Sequence, residues 1–238
     1  MLYSRPLKFP MYQLFETILY QPIFNLFVGL YTVVGDVGLV IVILTLAIKL
    51  LLWPLTAKAI EAQKSLTALQ PKMKELKEKY KDDQQRMAQE TMRLYQEHKV
   101  NPLGSCLPVL IQIPIFLTLY WVLRNGLTGD NFDLLYTFIP APESINTIAL
   151  GVFDLSTPSI ILALLAGAAQ YWHARDLSRR RPPTTAGEGG KDEDMMAMMN
   201  KQMLYFMPII TIAVSASLPG GVALYWFLST LVTAIQQH

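Results

Sequence analysis

Along this chain the apolar positions fall in long unbroken runs, not in the stripes of a soluble helix or the alternation of a half-buried strand. About 20 mostly apolar residues at 1.5 Å each cross about 30 Å of hydrocarbon, and four or five windows qualify. They lie at 38–57, 103–123, 160–172 with a start that can reach upstream, 203–218 and 221–235. Pro219-Gly220-Gly221 breaks the last pair into a tight helical hairpin. Ten Lys and Arg, from Lys58 to Lys99, separate the first two windows; six, from Arg175 to Lys201, follow the third; residues 126–158 hold none. Cytoplasmic loops carry the Lys/Arg excess, so this pattern predicts five spans, with the start of the first outside and the C-terminus in the cytoplasm. Taken as whole segments, the expected order is an N-terminal segment 1–36, a span at 37–57, a cytoplasmic helical hairpin at 58–100, a span at 101–125 and an external loop at 126–158. A span at 159–175, a flexible cytoplasmic loop at 176–202 and spans at 203–218 and 221–237 complete it.

Residues 12–34 are apolar enough to span but carry Glu16, Gln21, Pro22 and Asn25 near the middle. Past Pro22 the residues Ile23, Leu26, Phe27, Leu30, Tyr31 and Val34 recur at helical spacing, and an amphipathic helix lying on the outer surface is the preferred reading. A sixth span with Arg5 and Lys8 inside also satisfies the charge rule, at the cost of polar groups in mid-membrane. In the hairpin, Leu66, Leu69, Met73, Leu76 and Tyr80 step by three and four on one arm, as do Met87, Thr91, Leu94 and His98 on the other. The turn is expected at Tyr80-Lys81-Asp82-Asp83. Pro71 is expected to kink or interrupt the first arm, because it lacks the N–H and clashes with the preceding turn.

Composition narrows the function. Of 238 residues, 52% are hydrophobic and 16% charged, against about 25% charged in soluble domains, which argues against a water-soluble enzyme. The net charge of +2 is too small to imply nucleic acid, so no sequence-specific nucleic-acid partner is expected. A single cysteine, Cys106, permits no internal disulfide. His98, His173 and His238 are scattered singly, and no metal or other cofactor is expected. With no HExxH, no GxSxG, no membrane carboxylate pair and no serine beside an intramembrane histidine, the chain is read as not an enzyme.

Lys49 is the most informative residue, a cation inside a span of Ile, Leu, Val and Trp, where insertion costs roughly 2.5 to 3.5 kcal/mol at the helix centre. The competing reading is snorkelling of the amine along its four-carbon stem toward the nearer interface. Thr45 lies one turn earlier on the same helix face, and Gln112 is a buried amide in the second span. Interhelical hydrogen bonding explains a lone Gln as readily as function does; the three groups together favour a shared, water-accessible cavity. Met195, Met196, Met198, Met199, Met203 and Met207 cluster at the start of the fourth span, where adaptable packing competes with a malleable surface for varied apolar partners.

Asn101-Pro102-Leu103-Gly104-Ser105-Cys106-Leu107-Pro108, followed by Leu110-Ile111-Gln112-Ile113-Pro114-Ile115-Phe116, closely resembles the bacterial YidC branch of the YidC/Oxa1/Alb3 membrane protein insertases. Trp53-Pro54-Leu55-Thr56, Leu69-Gln70-Pro71-Lys72, Phe206-Met207-Pro208, Leu218-Pro219-Gly220-Gly221, Leu224-Tyr225-Trp226 and Leu231-Val232-Thr233 with Ile235-Gln236-Gln237 carry the same resemblance in order. It implies an all-α polytopic membrane protein: a core of five transmembrane helices, a cytoplasmic helical hairpin and an external amphipathic helix. It also implies a hydrophilic groove open to cytoplasm and lipid and closed to the outside. Lys49 stands where the family usually has arginine, with Thr45 and Gln112 at other groove positions. Ile113, Phe116, Leu117, Tyr120, Tyr225, Trp226 and Ser229 match the apolar path along which a substrate helix leaves. The implied partners are nascent membrane proteins and the lipid bilayer, with the Sec translocon and the ribosome as further candidates. The implied location is the bacterial plasma (inner) membrane. A core-only member is expected, without the large periplasmic domain, the basic C-terminal tail or a lipoprotein cysteine.

The reading is therefore a membrane protein insertase and chaperone that works without nucleotide hydrolysis, keeping water in the inner half of the bilayer to lower the desolvation cost of a polar substrate segment. The leading alternative is a small-solute or ion transporter with a buried cationic site, against which no inverted repeat is visible. A structural scaffold for other membrane proteins would share the bundle but need no polar groove.

Overall fold

The computed structural model describes residues 10–81, 83–101, 107–128, 132–179 and 202–237. Helix α1 (Pro10–Phe15) passes through a π-helical turn at Glu16–Tyr20 into α2 (Gln21–Val34). Helix α3 is Val37–Ala68, α4 Gln70–Lys79, α5 Gln84–Glu97 and α6 Leu107–Thr128. A short hairpin follows, β1 (Ile148–Ala149) antiparallel to β2 (Phe153–Asp154), then α7 (Ile160–Arg179), α8 (Met207–Ser215) and α9 (Gly220–Gln237). Among the described residues, Gln13–Val34 and Val37–Ala68 are long and apolar enough to cross a membrane, and Leu204–Ser215 is a shorter apolar helix.

Prolines affect these helices in different ways, Pro54 and Pro114 being carried inside α3 and α6. A π-helical turn ends two residues before Pro22, and another, Gln202–Phe206, ends two residues before Pro208. Widening the turn makes room for a ring that would otherwise strike the carbonyl one turn back. At Pro71 the helix breaks instead: it stops at Ala68, and Pro71 sits in the first turn of α4, where a missing N–H costs nothing. The expected interruption thus falls before the proline, and Leu66, assigned to the first hairpin arm, belongs to the end of α3. Helix α3 also runs past position 57 without a break. The segment 203–218 is not one helix but the π turn, α8 and a turn at 216–219.

The hydrophobic core gathers Phe24, Phe27 and Val28 of α2, Val40, Ile41 and Leu44 of α3, Val122 and Leu123 of α6, and Val222 and Tyr225 of α9. This places it at the end of the bundle that carries the 132–158 segment, here the loop end; α4 and α5 define the hairpin end. The buried face of α2 differs from the expected stripe. Leu26 is exposed, whereas Asn25 is 2% exposed and packed inward. Asn25 is buried because its amide clamps the loop: Nδ2 donates to Leu134 O at 3.0 Å and Oδ1 accepts from Tyr136 N at 2.6 Å.

Gly35, at φ +74°, turns the chain from α2 into α3 in a left-handed conformation open to glycine. Asp36 then caps α3, Oδ1 accepting from Leu39 N at 2.9 Å, while its Oδ2 accepts from Leu150 N at 2.6 Å and holds the β1–β2 turn. Gly220 N and Gly221 N donate to Thr157 O and Leu155 O, each at 2.9 Å, so the start of α9 is sewn to the loop through main chain. Gly167 of α7 lets Ile212 of α8 pack directly on its backbone, where a Cβ would collide. At the other end α4 packs against α5, Leu69 before α4 and Leu94 of α5 are buried, and Lys72 Nζ lies 2.7 Å from His98 Nε2. The residues 102–106, 180–201 (with Met195, Met196, Met198 and Met199) and Asp82 of the expected hairpin turn lie outside the described residues.

Candidate functional site

Helices α3 and α9 run side by side in a fixed register. A Cβ on Gly221 would touch Ile41, and Thr56 pairs with Gln236, the same separation of 180 residues in both cases. Lys49 is therefore level with Ser229, yet its Nζ donates to Thr233 Oγ1 at 2.9 Å. The amine has travelled four residues, about 6 Å, toward the hairpin end. Its side chain thus runs along α9 and not into open solvent, for Lys49 is only 9% exposed. Thr233 in turn donates to Ser229 O at 2.8 Å, so the hydroxyl is oriented to offer a lone pair to the amine.

One turn nearer the hairpin end, the Thr56 hydroxyl and the Gln236 amide exchange hydrogen bonds at 2.8 to 3.2 Å, and Gln236 Nε2 reaches Trp53 O at 3.4 Å. This pairing sits beside Pro54, which cannot continue the helical ladder of α3. Helix α7 adds His173, which hydrogen-bonds Gln237 and lies within electrostatic reach of Asp176 and Lys49. Lys49, Thr233, His173, Asp176, Gln236 and Gln237 thus form one polar layer across α3, α9 and α7.

Thr45 and Gln112 do not join Lys49 directly. Thr45 is buried with its hydroxyl turned back onto Ile41 O at 2.6 Å. Gln112 Nε2 donates to Tyr225 OH, and Tyr225 is also hydrogen-bonded to Ser229. The three residues picked from sequence therefore sit at three stations: Gln112 and Lys49 are linked through α9 by Tyr225, Ser229 and Thr233, whereas Thr45 is bonded within its own helix. The residues matched to an exit path divide as well. Ile113 and Leu117 are exposed on the outer face of α6. Phe116 packs edge-on against Trp226 at 5.2 Å between centroids and lies 6.4 Å from the Tyr225 ring, which is buried. Tyr120 accepts from Arg124 at 2.9 Å and stacks edge-on with Trp121.

Sequence reading gave no role to Thr56, His173, Asp176, Thr233, Gln236 or Gln237. The signals were present: Thr233, Gln236 and Gln237 share a face at i, i+3 and i+4, and His173 and Asp176 share one at i, i+3. Treating the histidine as solitary overlooked the acid three residues on. As for chemistry, the layer offers amide, hydroxyl and imidazole groups around one ammonium, which suits solvating a polar segment.

A polytopic helical membrane protein with a polar layer inside its bundle is the class these features define. The family model described as 60Kd inner membrane protein matches residues 29–238. A membrane protein insertase YidC of Fusobacterium nucleatum is 38% identical over 205 residues, covering 86% of each chain. That of Actinobacillus succinogenes is 37% identical over 221 residues, covering 92% of this chain and 36% of the relative. That of Pasteurella multocida gives the same figures of 37%, 92% and 36%; this chain thus spans about a third of those longer relatives. A crystal structure of an active YidC insertase with the first transmembrane domain resolved shares the fold, with a TM-score of 0.58 and 24% identity over 95% of this chain and 47% of that one. The chain belongs to the YidC/Oxa1 family of inner-membrane insertases.

Proposed function

We propose that this chain inserts nascent membrane proteins by drawing a polar segment of the substrate into the layer around Lys49, without nucleotide hydrolysis. The observation that carries this is the Lys49–Thr233 contact: a cation held inside the bundle, displaced about one turn toward the hairpin end. A buried ammonium costs several kcal/mol to keep in hydrocarbon and is retained where it has work to do. Side-chain hydroxyls and amides beside it exchange partners readily with an incoming peptide or water, which lowers the desolvation cost of the polar segment. Burial of the following apolar helix in lipid then drives completion. Ile113, Leu117, Phe116 and Trp226 offer that helix an apolar and aromatic flank.

In this reading five helices span, α2 lies along the outer surface with the 132–158 loop, and α4 and α5 stand in the cytoplasm with the C-terminus. The Asn25 clamp supports the placement of α2, since it spends the polar groups of that helix on the loop. The Lys/Arg asymmetry supports the orientation, and the Sec translocon and ribosome are proposed partners on the cytoplasmic side. The test is reconstitution of the purified chain into liposomes with a small single- or double-spanning substrate, scored by protease protection. Protected substrate is the expected result. Unprotected substrate with folded protein would overturn the reading.

A further inference from the structure

His173, a member of the polar layer, is the one described histidine inside the bundle. Pro158 and Pro219 face each other in a β-bridge, so α7 and α9 leave the loop end together. His173 and Ala234 lie equally far along their helices, which brings the imidazole level with the Thr233 hydroxyl that holds Lys49. Gln237 of α9 lies beside the ring. Its Nε2 is buried and has no hydrogen-bond partner among the described residues. Buried polar atoms in native structures are nearly always paired, so an orphan of this kind calls for a missing partner.

We propose that His173 is a further substrate-contacting residue, whose Nε2 takes or gives a hydrogen bond to the polar segment that Lys49 attracts. This rests on the insertase reading. The charged groups facing the ring are Lys49 from α3 and Asp176 from its own helix; α9 faces it with Gln237, and α8 carries no charge along its length. Lys49 can only donate hydrogen bonds, whereas a neutral imidazole nitrogen can be set to accept. A segment entering between α3 and α7 thus meets a donor on one side and an acceptor on the other. That pair fits peptide groups and the side chains of Asn, Gln, Ser and Thr, and not only acidic residues. The layer would then solvate neutral polar segments as well as acidic ones, with Lys49 adding a preference for the acidic.

The test uses the full chain in a Cys106→Ser background, reconstituted in liposomes with a stalled nascent chain carrying a single cysteine in its translocated polar segment. His173→Cys should form an oxidative adduct with it, and Ala168→Cys, exposed on another face of α7, should not. In parallel, His173→Leu should slow insertion of a polar segment roughly tenfold, the worth of about one hydrogen bond, while His173→Gln stays near wild type. An adduct at Thr233→Cys without one at His173→Cys would overturn the inference, as would equal insertion by the Leu and Gln variants. Failure of the wild-type chain to insert would instead strike the insertase reading itself.

Discussion

The two ends of the bundle satisfy their polar groups by different means. At the loop end the partners are mostly main chain: Asn25 to Leu134 and Tyr136, Tyr31 OH to Asn146 N at 2.7 Å, Asp36 to Leu39 and Leu150, and the glycines of α9 to Leu155 and Thr157. Around Lys49 the contacts between helices are mostly between side chains: Thr233 for the amine and Thr56 for Gln236, which also reaches Trp53 O. At the loop end at least one group of each contact is fixed in the main chain and moves only with its segment, whereas where both groups are side chains either can turn away by a rotamer change on a far faster scale. In the proposed function one end accordingly stays shut and the other trades partners with a guest.

Breaking the closed end should give the largest stability effect. Asn25→Leu leaves the half-buried Tyr136 N–H and Leu134 O without their partner and should cost about 2–3 kcal/mol, read as a lower midpoint of thermal unfolding in detergent. An unchanged midpoint would mean that the loop is held elsewhere. Thr233→Val keeps the shape of the side chain but removes the hydroxyl from Lys49, and should cost about 1 kcal/mol. Insertion in proteoliposomes should fall more visibly than stability in this variant; the reverse order would erase the distinction between the two ends. The smallest effect concerns Asp154 on the loop, whose carboxyl is held below its usual value of 3.8 by the Ser156 hydroxyl and, secondarily, the Ser156 N–H. Because its folded value is depressed, the stabilisation is complete above about pH 4 and fades as the pH falls through the folded value. The side chain is exposed, so water screens the gain. Asp154→Asn should accordingly change the unfolding midpoint slightly at pH 7 and not at all at strongly acid pH.

Helical architecture was legible because the bilayer imposes long apolar runs, and the family was legible because the proline and glycine motifs fall in order. Lys49 stood out for the same reason: in an apolar run any cation is conspicuous. What could not be read was which face of each helix meets which neighbour. Gln236 and Thr56 are 180 residues apart, and only the register of α3 against α9 joins them. Asn25 looked like a polar defect in an amphipathic stripe because its partners, Leu134 and Tyr136, lie more than a hundred residues away. The π-helical turns before Pro22 and Pro208 were hidden too, since proline chemistry allows a kink, a break or a widened turn, and packing selects among them.

The account turns on Lys49 as a reader of substrate charge within an exchangeable polar layer. Its most direct test compares Lys49→Arg and Lys49→Leu in proteoliposomes on one substrate, with the Asp residues of its translocated segment present or changed to Asn. Arginine keeps the charge and should retain insertion of both forms. Leucine should leave the protein no less stable, since it removes a buried cation worth roughly 2.5 to 3.5 kcal/mol in insertion cost. It should impair the Asp form strongly and the Asn form less, because Thr233, Gln236 and His173 remain to solvate the segment. Equal loss for both forms would contradict the account and reduce Lys49 to an anchor between α3 and α9.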